Sequence, residues 1–180
     1  MVYIPILNGE KDFTNWDDPS YVTENPHIFE LDGKSVSYMF QEPIAFNYHP
    51  LTMLSLAINY QVSGLNPQSY FWVNLILHLG STVFIFYLTF LLFRKRIEVA
   101  IITSLFFGIH PMHVESVAWI AERKDVLYTF FFFSALLAYV RYIQTQKVVF
   151  YITAFVLATL SMLSKPAAVV LPVVMILFDY

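Results

Sequence analysis

The sequence predicts an all-α fold, a polytopic membrane helical bundle with a long outer loop that carries short interfacial helices. Three observations lead there. The 180 residues are 58% hydrophobic and 18% aromatic but only 13% charged, against about 25% charged in soluble domains, so lipid is the solvent for much of the surface. Apolar runs approaching the roughly 20 residues of a bilayer crossing recur after residue 69, punctuated by basic clusters. Among them stands one polar stretch, His110 to Asp125, with two imidazoles, three carboxylates and two cations. So many polar groups at a membrane boundary are costly unless they bind something.

Taken in order, Val2-Tyr3-Ile4-Pro5-Ile6-Leu7 is too short to cross and reads as the exit end of a helix. It lacks a basic flank and a cleavage site, so it is not a signal peptide. Residues 8–68 are polar and mixed, with prolines at 19, 26, 43, 50 and 67, and are expected to form a structured outer loop. Within it Tyr48-His49-Pro50 opens a short helix over Leu51 to Tyr60, whose Leu51, Leu54, Leu56 and Ile58 supply apolar contacts. Tyr70 to Phe93 is a full span closed by Arg94-Lys95-Arg96, which the positive-inside rule places in the cytoplasm. Val99 to Ile109 begins the return, too short by itself, and is expected to continue through the His110 region or to tilt. Val126 to Tyr142 crosses inward to Arg141 and Lys147, Val148 to Leu163 crosses outward, Ser164-Lys165-Pro166 turns the chain, and Ala167 to Phe178 starts another crossing. The expected division is thus 1–68, a truncated first helix plus outer loop, and 69–180, a bundle of about four full crossings and a truncated last one. On this topology the 8–68 loop, the His110–Asp125 stretch and Lys165 all emerge on the non-cytoplasmic face.

The net charge of −3 argues against a nucleic-acid partner, which prefers a basic face. No cysteine is present, so disulfides and thiolate metal sites are excluded. Asp17-Asp18 places two mutually repelling carboxylates at the membrane surface, where one can serve as base toward a hydroxyl, the pair can hold a metal, or the pair simply forms a turn before Pro19. His110 and His113, three apart, would share one helix face with Glu115 nearby, enough donors for zinc, though the fuller metalloprotease spacing is absent. Imidazole donors to a lipid phosphate or sugar hydroxyl fit better, and a purely structural interfacial cap is the remaining alternative. Glu115, Trp119 and Glu122 follow helical spacing, so the indole would lie between two carboxylates as a sugar platform, or act as an interfacial anchor. Arg123, Lys124 and Lys165 are outer-face cations able to hold a phosphate, or to pair with Glu122 and Asp125. His78, inside a span, is given no role, and Phe130 to Phe133 is packing surface.

Together the blocks Asn15-Trp16-Asp17-Asp18-Pro19, Tyr21-Val22-Thr23-Glu24-Asn25-Pro26, Tyr48-His49-Pro50-Leu51-Thr52, Gly64-Leu65-Asn66-Pro67, the whole of His110 to Asp125, Ser164-Lys165-Pro166 and Asp179-Tyr180 resemble the membrane half of the transmembrane-and-TPR O-mannosyltransferases and their bacterial relatives. Those are GT-C glycosyltransferases. The resemblance implies a GT-C-like bundle that moves a sugar, mannose in the first instance, from a polyprenyl- or dolichyl-phosphate donor to a protein or glycan acceptor on the non-cytoplasmic face. It implies Asp17 or Asp18 as catalytic base, and His49, His110, His113, Glu115, Trp119, Glu122, Arg123, Lys124 and Lys165 around the donor phosphate and substrate. No metal or other cofactor is assigned, with a divalent ion left open. A bacterial inner membrane with the site facing the periplasm is expected, or the endoplasmic reticulum membrane in a eukaryote. The sequence holds no 34-residue helical repeat and is expected to be the N-terminal portion of a longer protein.

Two other classes compete. A non-catalytic transporter or scaffold predicts ionisable groups lining a path at mid-bilayer, whereas here they gather at one face. A metal-dependent membrane hydrolase would use His110, His113 and Glu115.

Overall fold

The computed structural model describes residues 12–179; the apolar stretch at residues 2–7, read as the end of a helix, lies outside the described residues. Among these residues every regular element is helical, and the lone β-bridge, Ile44 with Asn47, closes a turn. The outer loop folds into a π-helical turn α1 (Pro19–Thr23), then α2 (Pro26–Phe29), α3 (Gly33–Gln41) and α4 (Pro50–Ser63). Local chemistry sets these starts. Asn25 accepts from the His27 N–H and Asp32 from the Ser35 N–H, satisfying amides that the first helical turn leaves open, and proline opens α1, α2 and α4. Helix α4 runs past the expected Tyr60 until Gly64, at φ 58°, ends it. Its Leu56 is buried, but Ile58 points outward rather than making the core contact expected of it.

The bundle follows: α5 (Pro67–Leu92), α6 (Ile97–Ile109), α7 (Met112–Ala118), α8 (Arg123–Thr145), α9 (Val148–Ser164) and α10 (Pro166–Leu177), which opens with a 3₁₀ turn. Helices α5 and α8 are long and apolar enough to cross a membrane, and α6 with α7 adds a third span if the bent pair crosses as one; α9 and α10 are shorter apolar helices. The return helix does not run on through His110. It breaks there, and α7 leaves α6 at 59°. Pro111 is the cause, because a proline forces the residue before it out of the helical region, and His110 sits at φ −63°, ψ 130°.

Helix α8 is central, packed against α5 on one side and α9 on the other, with α6 flanking α5. Lipid tails are as apolar as leucine, so burial of apolar area cannot hold these helices together, and close backbone approach must. Small residues permit it. A Cβ on Gly80 would stand 2.6 Å from the Phe130 ring, and one on Gly108 would stand 3.1 Å from Thr82. Ala100, Ser104 and Gly108 form the buried stripe of α6, while Ile101, Ile102, Leu105 and Phe106 project outward, as Val148, Val149, Ile152 and Phe155 do on α9. These outward faces suit contact with lipid.

The outer helices are held over one end of this bundle by a core of another kind. Tyr21, Val22, Ile28, Met53, Leu56, Tyr70, Val117 and Ile120 form one buried cluster joining α1, α2, α4, α5, α7 and the turn before α8. A hydrogen bond from the Thr52 hydroxyl to the Ser164 carbonyl, 2.8 Å long, ties α4 to the exit of α9. Five chain segments, α1–α2, α4, α5, α7 and the exit of α9, therefore meet at one end of α8.

Candidate functional site

Helix α8 starts with Arg123, and the residues around that start come from everywhere in the chain. Lys124 Nζ lies 2.8 Å from Glu122 Oε1 and 4.0 Å from Asp17 Oδ2, and 5.0 Å above the Tyr21 ring. Lys165, at the exit of α9, is ion-paired with Asp125 and stands 5.7 Å over the Tyr128 ring. His49, which precedes α4, is stacked on Tyr21 with ring centroids 5.0 Å apart, is only 2% exposed, and has neither ring nitrogen hydrogen-bonded. Burial, with positive charge from Lys124 and Lys165 added, pushes the His49 imidazole down to about 4, so it is neutral at physiological pH. Burial likewise raises the Glu122 carboxyl above its usual range, reinforced by its hydrogen bond with Asp125 and opposed by Lys124. It also raises the Tyr21 hydroxyl, against the pull of Lys124.

The two aspartates expected to share a role separate completely. Asp18 is 1% exposed, and its carboxylate accepts from the Ala121 N–H at 2.9 Å, the Thr14 N–H at 2.8 Å and the Thr14 hydroxyl at 3.0 Å. It pins the outer loop to the turn before α8. Asp17, with a side chain 46% exposed, is the carboxylate left facing outward. Consecutive residues rarely face the same way, and here α1 begins directly after the pair, burying one and presenting the other.

Arg123 is not the outer-face cation that its sequence position implied. It is fully buried, donating to Asn74 Oδ1 through Nε, to Ser55 Oγ at 3.0 Å, and to Asn59 Oδ1 and the Tyr70 carbonyl, both at 3.0 Å. Asn74 in turn donates to the Trp119 and Val117 carbonyls, at 3.1 and 3.4 Å. Thus α4, α5 and the turn carrying Glu122 and Lys124 are locked by one guanidinium. Sequence reasoning missed Ser55, Asn59 and Asn74; their signal is a polar side chain placed singly in an otherwise apolar helix.

The break at Pro111 and the end of α7 at Trp119 each undo a further expectation. His110 caps α6 in extended conformation while His113 lies inside α7, so the two do not share a helix face, although their rings remain 5.9 Å apart. Trp119 ends α7, so Glu115, Trp119 and Glu122 do not form one helical face; Glu115 is exposed, and the Trp119 indole, its N–H unpartnered, meets the exposed Trp16 edge-on at 6.2 Å. Among the described residues no three His, Asp or Glu side chains gather in a set able to hold a metal ion. His113 instead packs on His78 and Phe107, with centroids 5.6 and 4.4 Å away. These three line a cavity of about 370 Å³ that reaches Asp125 and Tyr128 at the site and Phe132 and Phe133 between the helices.

The arrangement sets carboxylates and a neutral imidazole beside two lysines, with Asp125 and Tyr128 joining it to the aromatic-walled cavity. It can take a proton, neutralise an anion and exclude water beside both.

Comparison with known proteins points the same way. The family model for dolichyl-phosphate-mannose-protein mannosyltransferase matches residues 44–180. The human protein O-mannosyl-transferase TMTC3 is 36% identical over 104 residues, 57% of this chain and 11% of that protein. Mouse TMTC1 is 32% identical over 143 residues, 74% of this chain and 15% of its own length, and mouse TMTC2 is 36% identical over 104 residues, 56% and 12%. The chain thus spans between a tenth and a sixth of the length of these relatives. No solved structure matches.

Proposed function

Since this chain belongs to the dolichyl-phosphate-mannose-protein mannosyltransferase family, and is an integral membrane protein by its apolar helices, we propose that it carries the catalytic face of an inverting mannosyltransferase using a polyprenyl-phosphate donor. The acceptor is a protein or glycan hydroxyl. Asp17 takes the hydroxyl proton as the oxygen bonds to the anomeric carbon; the bond from that carbon to the donor phosphate oxygen breaks, and its electron pair leaves with the phosphate. Lys124 and Lys165 neutralise the charge that collects there, where stabilisation is worth most. Neutral His49 offers a ring N–H to a sugar or phosphate oxygen and a lone pair to a sugar hydroxyl, Trp16 and Trp119 present aromatic faces to the acceptor side, and Asp18 and Arg123 position the others without touching substrate. Glu122 shares Lys124 with Asp17 and sets how far the lysine leans toward either. His110, His113 and Glu115 belong to the rim near the cavity, with His113 on its wall.

The observation that carries this reading is the meeting of Asp17 from the outer loop with Glu122 and Lys124 from the start of α8, beside a buried and unpartnered imidazole. Sidedness follows from charge. The site lies at the N-terminal end of α8, while Arg94 to Arg96 follow the far end of α5 and Arg141 and Lys147 lie at the far end of α8. Basic connections favour the cytoplasm, so the site faces the periplasm of a bacterial inner membrane, or the lumen of the endoplasmic reticulum in a eukaryote.

The test is transfer from radiolabelled polyprenyl-phosphate mannose, with the glucose donor in parallel and with or without EDTA, by the protein expressed in membranes. Asp17→Asn is expected to lower turnover about 10²- to 10⁴-fold, the range for losing a general base, with membrane insertion unchanged. Undiminished transfer would overturn the assignment.

A further inference from the structure

Of the three cations at the start of α8, two are opposed by carboxylates: Lys124 by Glu122 and Asp17, and Lys165 by Asp125. Arg123 is the most deeply buried of the three, yet among the described residues every group it bonds is neutral, two asparagine oxygens, a serine hydroxyl and a backbone carbonyl. From this contrast, and resting on the donor reading above, we infer that the fold holds Arg123 as an unneutralised internal cation whose field favours the anionic lipid phosphate bound at Lys124 and Lys165.

Burying a guanidinium without a counter-charge costs several kcal/mol of desolvation, and an apolar side chain of similar volume usually packs as well or better. A purely structural knot at this point would therefore be cheaper without the charge, or with a carboxylate beside it. The position suits an electrostatic role. Arg123 adjoins both Glu122 and Lys124 in the chain, and the medium between them is packed protein, where a charge is screened far less than at the surface. With Lys124 and Lys165 already matched by acids, the surface groups alone give an incoming phosphate little net attraction. Asp17, Glu122 and Asp125 outnumber Lys124 and Lys165 by one, and Arg123 offsets that surplus of acid from behind, so the approach of a phosphate is no longer opposed.

Asn59 allows a direct test. Its Oδ1 accepts from Arg123, and its Nδ2 donates to the Ser63 and Ser69 hydroxyls at 3.1 and 2.9 Å. In Asn59→Asp the hydroxyls can turn and donate to the carboxylate in exchange for their bonds to the Asn59 and Asn66 carbonyls, so the side chain's shape is kept while the cation is cancelled. Binding of polyprenyl phosphate to the purified protein would be measured by calorimetry, with uncharged polyprenol as control and the melting temperature as the check on folding. The expected result is about tenfold weaker binding of polyprenyl phosphate, the scale of one unit charge acting through protein, with polyprenol binding unchanged and the melting temperature equal or higher. If Asn59→Asp melts early, Ser55→Asp decides, since Ser55 also contacts Arg123 and borders a cavity of about 280 Å³ that has room for the longer side chain. Equal affinity in wild type and the folded charge-cancelled variant, or no binding of polyprenyl phosphate to wild type, would overturn the inference. Selective loss of phosphate binding in a protein that transfers no mannose would leave it standing and remove the transferase reading instead.

Discussion

At the scale of single residues, adjacent groups of one chemical type do different work because their surroundings differ. Asp18 satisfies three donors in the interior, and hydrogen bonds to a charged group are worth about 1.5–3 kcal/mol each. Asp18→Asn, which turns an amide N–H toward some of those donors, should lower the melting temperature by several degrees, whereas Asp17→Asn should leave it unchanged; equal effects of the two would contradict the division of roles. His49 gives a pH signature. Its folded pKa, about 4, lies below the ordinary value of 6.5, so the unfolded chain binds the proton first and stability falls as pH drops from about 6.5 toward 4. The full effect is of order 3 kcal/mol, all of it retained above the unfolded value. Glu122, raised in the fold, pulls the other way, losing stability as pH rises through its elevated value. The measurement is therefore the difference between wild type and His49→Phe in melting temperature between pH 4 and 7. The variant should be flatter across that window.

At the scale of elements, the break between α6 and α7 and the close approach of α5 to α8 place the site. Pro111→Ala restores the missing N–H and frees His110 to be helical, so α6 can run on through the bend. That would swing the turn bearing Trp119, Glu122 and Lys124 away from Asp17 and His49. Transfer should fall at least tenfold while membrane insertion persists, as read by activity beside carbonate-resistant membrane association. On the other side, Gly80→Val would drive a branched side chain into Phe130, and overpacking of this kind costs about 1–3 kcal/mol. Denaturant titration in detergent should show that loss, and no loss would mean the Phe130 ring does not close over Gly80 tightly enough to exclude a side chain there.

For the whole molecule, the proposed sidedness rests on where the basic connections lie and can be tested directly. The absence of cysteine makes single-cysteine labelling clean. In intact cells or sealed vesicles of matching orientation, an impermeant maleimide should label Glu24→Cys in the exposed outer loop, and should label Lys95→Cys in the basic connection only after permeabilisation. Labelling in the reverse order would move the site to the cytoplasmic face and sink the polyprenyl-phosphate reading with it.

Composition and local rules sufficed for some of this protein. Apolar runs and basic clusters gave α5, α8 and α9, Tyr48-His49-Pro50 marked the start of α4, and the His110 to Asp125 stretch with Asp17-Asp18 marked the polar end, because periodicity, capping and solvation act within a turn or two of chain. What the chain order could not express is which way a side chain finally faces. Asp18 and Arg123, written in the same polar blocks as Asp17 and Lys124, turned inward because Ala121, Thr14, Asn59 and Asn74 waited there, partners up to 103 residues away. Only the packed structure could choose, since in a buried setting a charge goes where enough donors or acceptors already converge to replace water.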